Sequence, residues 1–209
     1  MYARITRVQF PPDRVDDLVN AFTSTALPAF EGLPGYAGHS LAIDRTGGDG
    51  QAVTFWESEQ ALRDSEEKAT GIRTETTAAG GAGVVSVHRM EVALMERATP
   101  PSAPAFLRVI RGKGDPARLD AAVQATRDRA LPVLHQQPGF RAVVVALDRS
   151  SGDMQVTGVY ATAEDRENAD AALSGIRSQI FQDAGAGQPQ ISRYEVVSVQ
   201  FVGVGATAG

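Results

Sequence analysis

Polar and apolar positions alternate from Tyr2 to Phe10, the period of a strand with one buried face, and Pro11-Pro12 stops the alternation. Val15, Leu18, Val19, Phe22, Ala26 and Phe30 then fall at helical spacing and predict a helix with a single buried stripe. Pro34-Gly35 turns the chain into a strand over Tyr36 to Asp44, and the Arg45 to Gly50 stretch is a hairpin connection into a strand from Gln51 to Trp56. Ser58 is the expected N-cap of a second helix, about Glu59 to Ala79, with a thin stripe of Ala61, Leu62, Ala69 and Ile72 and an expected break at Gly71. Gly80 to Gly83 ends that helix, and Val84 to Leu94 reads as a closing strand.

The whole pattern then returns. A shift of 104 residues takes Leu27-Pro28 to Leu131-Pro132, Pro34-Gly35-Tyr36 to Pro138-Gly139-Phe140, and Gly71-Ile72-Arg73 to Gly175-Ile176-Arg177. The same shift takes Trp56 to Tyr160, Ser58 to Thr162, and Arg89-Met90-Glu91-Val92 to Arg193-Tyr194-Glu195-Val196. Each copy reads as βαββαβ, a ferredoxin-like arrangement. The expected organisation is a first repeat over 1–96, a Pro-rich linker over 97–105, a second repeat over 106–202 and a flexible tail over 203–209. In strands such as Ala142 to Leu147 both alternating faces are apolar, as expected if the helix-free sheet faces of the two copies cover one another. The expected fold class is therefore α+β, with two tandem ferredoxin-like repeats forming an intramolecular pseudo-dimeric α+β barrel.

Composition narrows the chemistry. Among 209 residues, 43% are hydrophobic and 22% charged, the formal net charge is −5, and no basic run is interleaved with aromatics, so neither nucleic acid nor an acidic membrane surface is an expected partner. The absence of cysteine excludes disulfides, thiolate catalysis and cysteine metal sites. The N-terminal alternation lacks the apolar run of a signal peptide or membrane span, and a cytoplasmic location is expected. No phosphate-binding loop, dinucleotide fingerprint or histidine pair at metal spacing occurs, so no cofactor and no metal are expected.

Histidines titrate nearest neutrality and are the natural proton acceptors. His39 shares strand parity with Leu41 and Ile43, and His88 with Met90 and Val92, so the two could face one cavity of the first copy; a satisfied core histidine is the plainer reading. His135, beside Gln136-Gln137, reads as a solvated helix end. Arg73 and Arg177 could each hold a phenolate or carboxylate, or form a helix-surface ion pair. Arg4, Arg7, Arg89 and Glu91 recur as Arg108, Arg111, Arg193 and Glu195, and read as cross-strand pairs between the first and last strands of each copy.

The element order, the Pro-Gly-aromatic entry to the second strand, and the strand ending in Trp56-Glu-Ser-Glu-Gln-Ala61 together resemble the antibiotic biosynthesis monooxygenases, dimeric α+β barrels. The resemblance implies a fused tandem version of that fold and cofactor-independent oxidation, by O₂, of an aromatic polyketide-like or other small hydrophobic substrate. It implies pocket roles for Trp56 and Arg73, and at the matching places of the second copy for Tyr160 and Arg177, with His39, His88 and Arg73 as catalytic candidates. The family's asparagine and tyrosine places hold Ala52 and Leu62 here, and Val156 and Arg166 in the second copy. A non-catalytic ligand-binding or structural barrel is therefore the alternative, and a homodimer of fused chains is left open.

Overall fold

The computed structural model describes residues 1–202; the expected tail over 203–209 lies outside them. The first copy contains β1 (Tyr2–Gln9), α1 (Val15–Ala21), a π-helical turn (Phe22–Ala26), α2 (Leu27–Glu31), β2 (Tyr36–Asp44), β3 (Asp49–Trp56), α3 (Glu59–Asp64), α4 (Glu66–Ala79) and β4 (Gly83–Arg97). The second contains β5 (Ala105–Lys113), α5 (Leu119–Ala125), a π-helical turn (Thr126–Ala130), α6 (Leu131–Leu134), β6 (Phe140–Leu147), β7 (Asp153–Tyr160), α7 (Ala163–Asp183) and β8 (Gln190–Phe201). This is the α+β, ferredoxin-like order.

Two compact units divide the chain. Residues 1–90, 101–103 and 195–202 make unit 1, and residues 91–100 and 104–194 make unit 2. The units cut across the sequence repeat, because each closing strand changes unit part way along. Unit 1 carries the order β1-β3-β2-β8, in which the end of β8 pairs antiparallel with β2, Gly38 opposite Phe201 and Ile43 opposite Glu195. Unit 2 carries β5-β7-β6-β4, in which the end of β4 pairs antiparallel with β6, Glu91 opposite Leu147 and Arg97 opposite Ala142. Gly38 needs its glycine: its φ is +143°, at a register shift beside β3, and an added Cβ would collide with Gln200 O.

The first helical segment carries a π-helical turn for a reason that recurs at the 104-residue step. Pro28 and Pro132 have no N–H to give to the carbonyl four residues earlier, and just before them the ladder widens by one residue. Leu27 N–H donates to Phe22 O and Leu131 N–H to Thr126 O. The predicted caps form as expected, Ser58 accepting from Ala61 N–H and Thr162 from Asp165 N–H.

Two expectations are corrected. The break in the second helix falls at Ser65, between α3 and α4, while Gly71 lies inside α4 with open space around it. Ser65 Oγ donates to Leu62 O at 2.7 Å, and Arg4 Nη2 reaches the same carbonyl at 2.7 Å, so the carbonyl is satisfied without the next helical turn. At the corresponding place in the second copy stands Ala169, and α7 runs unbroken. The cross-strand charge pairs are also otherwise: Arg4 and Arg89 both meet Glu66 of α4, Arg7 meets Asp49 of β3, and Glu91, in unit 2, meets Arg149.

Candidate functional site

One face of the unit 1 sheet supplies Arg4, Thr6 and Val8 from β1, Ala52 and Thr54 from β3, and Leu41 from β2. With Leu18, Phe22, Ala26 and Phe30 from the first helical segment and Ile72, Arg73, Thr76 and Thr77 from α4, they enclose a cavity. Its volume is about 50 Å³.

Its ionisable walls are two arginines. Arg4, in mid-β1, is 2% exposed, and its Nη2 lies 3.0 Å from both Ser65 Oγ and Glu66 Oε2. Its Nε and Nη1 are buried and have no hydrogen-bond partner among the described residues. Burial lowers the Arg4 pKa from its ordinary value, against the raising effect of Glu66, but a guanidinium stays charged throughout the physiological range. Arg73 lies 3.8 Å from Glu66 and donates to Thr70 Oγ1 at 2.9 Å. Burial alone would raise the Glu66 carboxyl; the hydrogen bonds and charges of Arg89 and Arg4 outweigh it and hold the carboxyl below its usual range. Three guanidinium groups thus share one carboxylate, and net positive charge is left at the cavity wall.

Trp56 is fully buried behind this wall. Its Nε1 donates to Thr54 Oγ1 at 3.1 Å, its ring meets Tyr36 edge-on, and the Arg4 guanidinium carbon lies 5.3 Å from its centroid, a cation–π distance. His39 is 1% exposed and does not line the cavity. Its Nδ1 is 2.9 Å from Tyr36 Oη and its Nε2 2.8 Å from Ser198 Oγ, while Phe22 packs edge-on against the ring. Burial pushes its pKa down to about 4, so it is neutral near pH 7. His88 is half-buried on β4, away from the cavity lining, and His135 is exposed beside Phe140, 3.8 Å from Glu96.

Unit 2 holds a counterpart. Arg108, Thr126, Ala130, Val143, Val156, Gly158, Tyr160 and Arg177, with neighbouring apolar residues, enclose a cavity that leaves about 40 Å³ for the centre of a water-sized sphere. Arg108 Nη1 meets Asp170 at 2.6 Å, and Arg177 and Arg193 pair with the same carboxylate. Of the sequence candidates, Arg73 lines the first cavity, Tyr160 and Arg177 line the second, and Trp56, His39 and His88 line neither. Arg4, Arg108 and their carboxylates were missed as site residues. Their signal was present: Arg4 shares strand parity with Val8, so it faces inward, and both it and the acidic position Glu66 recur at the 104-residue step, as Arg108 and Asp170. Among the described residues no group of three or more His, Cys, Asp or Glu could hold a metal ion, and no helix is long and apolar enough to cross a membrane.

No family model matches the chain. The uncharacterized protein Rv2558 of Mycobacterium tuberculosis strain H37Rv is 28% identical over 201 residues, covering 94% of this chain and 83% of its own. Among solved structures, an anthrone oxidase-like protein superposes with a TM-score of 0.70 at 17% identity, over 100% of this chain and 96% of its own. A protein named as a monooxygenase, from Fusobacterium nucleatum, superposes with a TM-score of 0.72 at 10% identity, over 96% of this chain and 94% of its own. A ferredoxin-fold protein from Listeria monocytogenes, described as related to antibiotic biosynthesis monooxygenases, superposes with a TM-score of 0.54 at 7% identity, over 94% of this chain and 95% of its own, and what these neighbours share with this chain is the ferredoxin-like fold.

Proposed function

We propose that the chain is a monooxygenase-like protein whose unit 1 cavity binds a single-ring phenolic or enolic molecule as its anion and lets it react with O₂ without a cofactor. The observation that carries this reading is Arg4: a guanidinium 2% exposed, with two nitrogens unpartnered among the described residues, facing a cavity whose other ionisable wall is Arg73. A buried cation with free donors stabilises an anion far more than the same cation in water does. A volume of about 50 Å³ disfavours the three fused rings of an anthrone. No base lines the cavity, so the substrate enters already ionised, having given its proton to solvent. The balanced step is oxidation of an activated methylene to a carbonyl: one oxygen atom of O₂ becomes the carbonyl oxygen, the other leaves as water with the two methylene hydrogens. Arg73 and Arg4 hold the anion, and Trp56 braces Arg4 from behind.

The tandem reading belongs to the same proposal. The 104-residue repeat, and superpositions that span nearly the whole chain, support taking repeats 1–96 and 106–202 as stand-ins for the two subunits of a dimeric barrel. A second reading is a binding protein without turnover, favoured by the cavity's lack of any residue that could accept a proton near neutrality.

Trp56 lies against Arg4 and reports on occupancy. The test is Trp56 fluorescence during titration with the cyclic enolic diketone dimedone and with anthrone, followed by oxygen uptake without added metal or flavin. Saturable quenching by dimedone, absent with anthrone, with oxygen uptake that is lost in Arg4→Met, is the expected result. Quenching without oxygen uptake selects the binding reading, and no quenching by either compound overturns the anion site.

A further inference from the structure

The unit 2 cavity differs in chemistry from its counterpart, residue for residue. Thr6, Thr54, Thr76 and Thr77 of the first cavity give way at the 104-residue step to Ile110, Gly158, Ile180 and Phe181. Arg108 is engaged head-on by Asp170, which also takes Arg177 and Arg193, while Glu167 takes Arg193 and Arg166. Two carboxylates share the work that Glu66 does alone in unit 1, and apart from Tyr160 and from Thr126, whose hydroxyl donates to Ala122 O, the rest of the wall is apolar. An anion there would lose its hydration for few polar contacts in return.

Two donors are nevertheless left over. Tyr160 is fully buried, and its hydroxyl has no hydrogen-bond partner among the described residues; the same holds for Arg108 Nε. In unit 1 the corresponding aromatic N–H is answered from within, by Thr54 Oγ1. In unit 2 the residue two before the aromatic is Gly158, whose added Cβ would stand 2.7 Å from the Tyr160 hydroxyl oxygen. The missing side chain both removes the internal acceptor and keeps the space beside the hydroxyl clear. Burial raises the Tyr160 pKa, so the group stays a protonated donor. A buried donor left unpaired costs more than an ordinary hydrogen bond gains, so the arrangement calls for an acceptor from outside the chain.

We infer that the unit 2 cavity is a second binding site, for a compact, neutral carbonyl compound whose oxygen accepts from the Tyr160 hydroxyl and is drawn by the neighbouring Arg108. The site is independent of any reaction in unit 1. Its chemistry is that of a ketone or quinone rather than a carboxylate, and the apolar walls hold the carbon skeleton.

The test is methyl NMR of the full chain titrated with cyclohexanone, with its carbon isostere methylenecyclohexane, and with benzoate. Cyclohexanone is expected to give saturable shifts at Val143, Val156 and Ile176 methyls and to bind roughly five- to tenfold more tightly than methylenecyclohexane, the factor expected for satisfying one buried donor. Tyr160→Phe, which deletes an unpaired hydroxyl and so folds at least as stably, is expected to erase that preference while leaving the hydrocarbon's affinity unchanged. Gly158→Ala is expected to weaken both ligands. Equal binding of the two isosteres, tighter binding of benzoate at these methyls, shifts confined to Leu41 and Ile72 of the first cavity, or no saturable shift, as when water alone fills the space, would each overturn the inference.

Discussion

The two cavities stand at positions related by the 104-residue step, yet they balance charge differently. In unit 1, Arg4 reaches across to the carbonyl of Leu62, breaks the helix at Ser65 and shares Glu66 with two other arginines. In unit 2, Arg108 meets Asp170 directly, position 169 is alanine, and the helix runs unbroken. A buried arginine can thus be accommodated by spending a helical turn on it or by placing a well-aimed carboxylate. The first leaves two guanidinium nitrogens free for a ligand anion; the second leaves only Arg108 Nε free and adds the Tyr160 hydroxyl as an unpaired donor.

The sharpest way to break this comparison is to remove the carboxylates. Asp170→Ala takes away the carboxylate partner of Arg108, which is 6% exposed, and should cost about 3–5 kcal/mol in urea unfolding. Glu66→Ala should cost clearly less, because Arg4 keeps Leu62 O and Ser65 Oγ. Equal costs would show that the helix break contributes nothing to holding Arg4.

Acid should separate the units next. His39 has no counterpart in unit 2, where Val143 takes its place. Its folded pKa of about 4 lies below the unfolded value near 6.5, so the unfolded state binds the proton first. The stability it confers is complete above pH 6.5 and is lost as pH falls towards 4, on the order of 3 kcal/mol in all. Urea midpoints across that range should show the loss, and His39→Gln should flatten it. A smaller effect is expected from Ser65→Ala: about 1 kcal/mol of destabilisation, with amide chemical shifts near Glu66 moving towards continuous helix as in α7. The smallest is Gly71→Ala or Gly175→Ala, each inside a helix with open space around it, and each expected to raise stability by about 0.5–1 kcal/mol in thermal melts. Here the units should agree.

Much of the fold was legible because alternation, helical spacing and turn residues agreed with one another, and the repeat doubled every signal. Ser58 and Thr162 as caps and the hairpin before Gln51 are local features and could be read locally. The helix break was not local: Gly71 is the weaker helix former, but the decisive partner, Arg4, lies 61 residues from Ser65 in sequence. The site was partly legible for the same reason. Arg73, Tyr160 and Arg177 stand on cavity walls, whereas Trp56 is turned behind its wall by a hydrogen bond to Thr54 that no spacing rule contains. Arg4 and Arg108 read as cross-strand pairs because opposite charges recur on the first and last strands; an inward parity was the contrary sign.

The passage of β8 from one unit to the other bears on how the protein can be made. In unit 1, β2 finds its second neighbour only in residues 195–201, and His39 finds Ser198 there. As the chain emerges from a ribosome, β1, β2 and β3 can pair early, but the far edge of β2 stays open until residues 195–201 have been added. An apolar strand edge left waiting is an invitation to a neighbouring nascent chain. Completion of unit 1 is therefore tied to synthesis of β8, more than 130 residues after β3, and unit 1 cannot finish folding before the strands of unit 2 have been made.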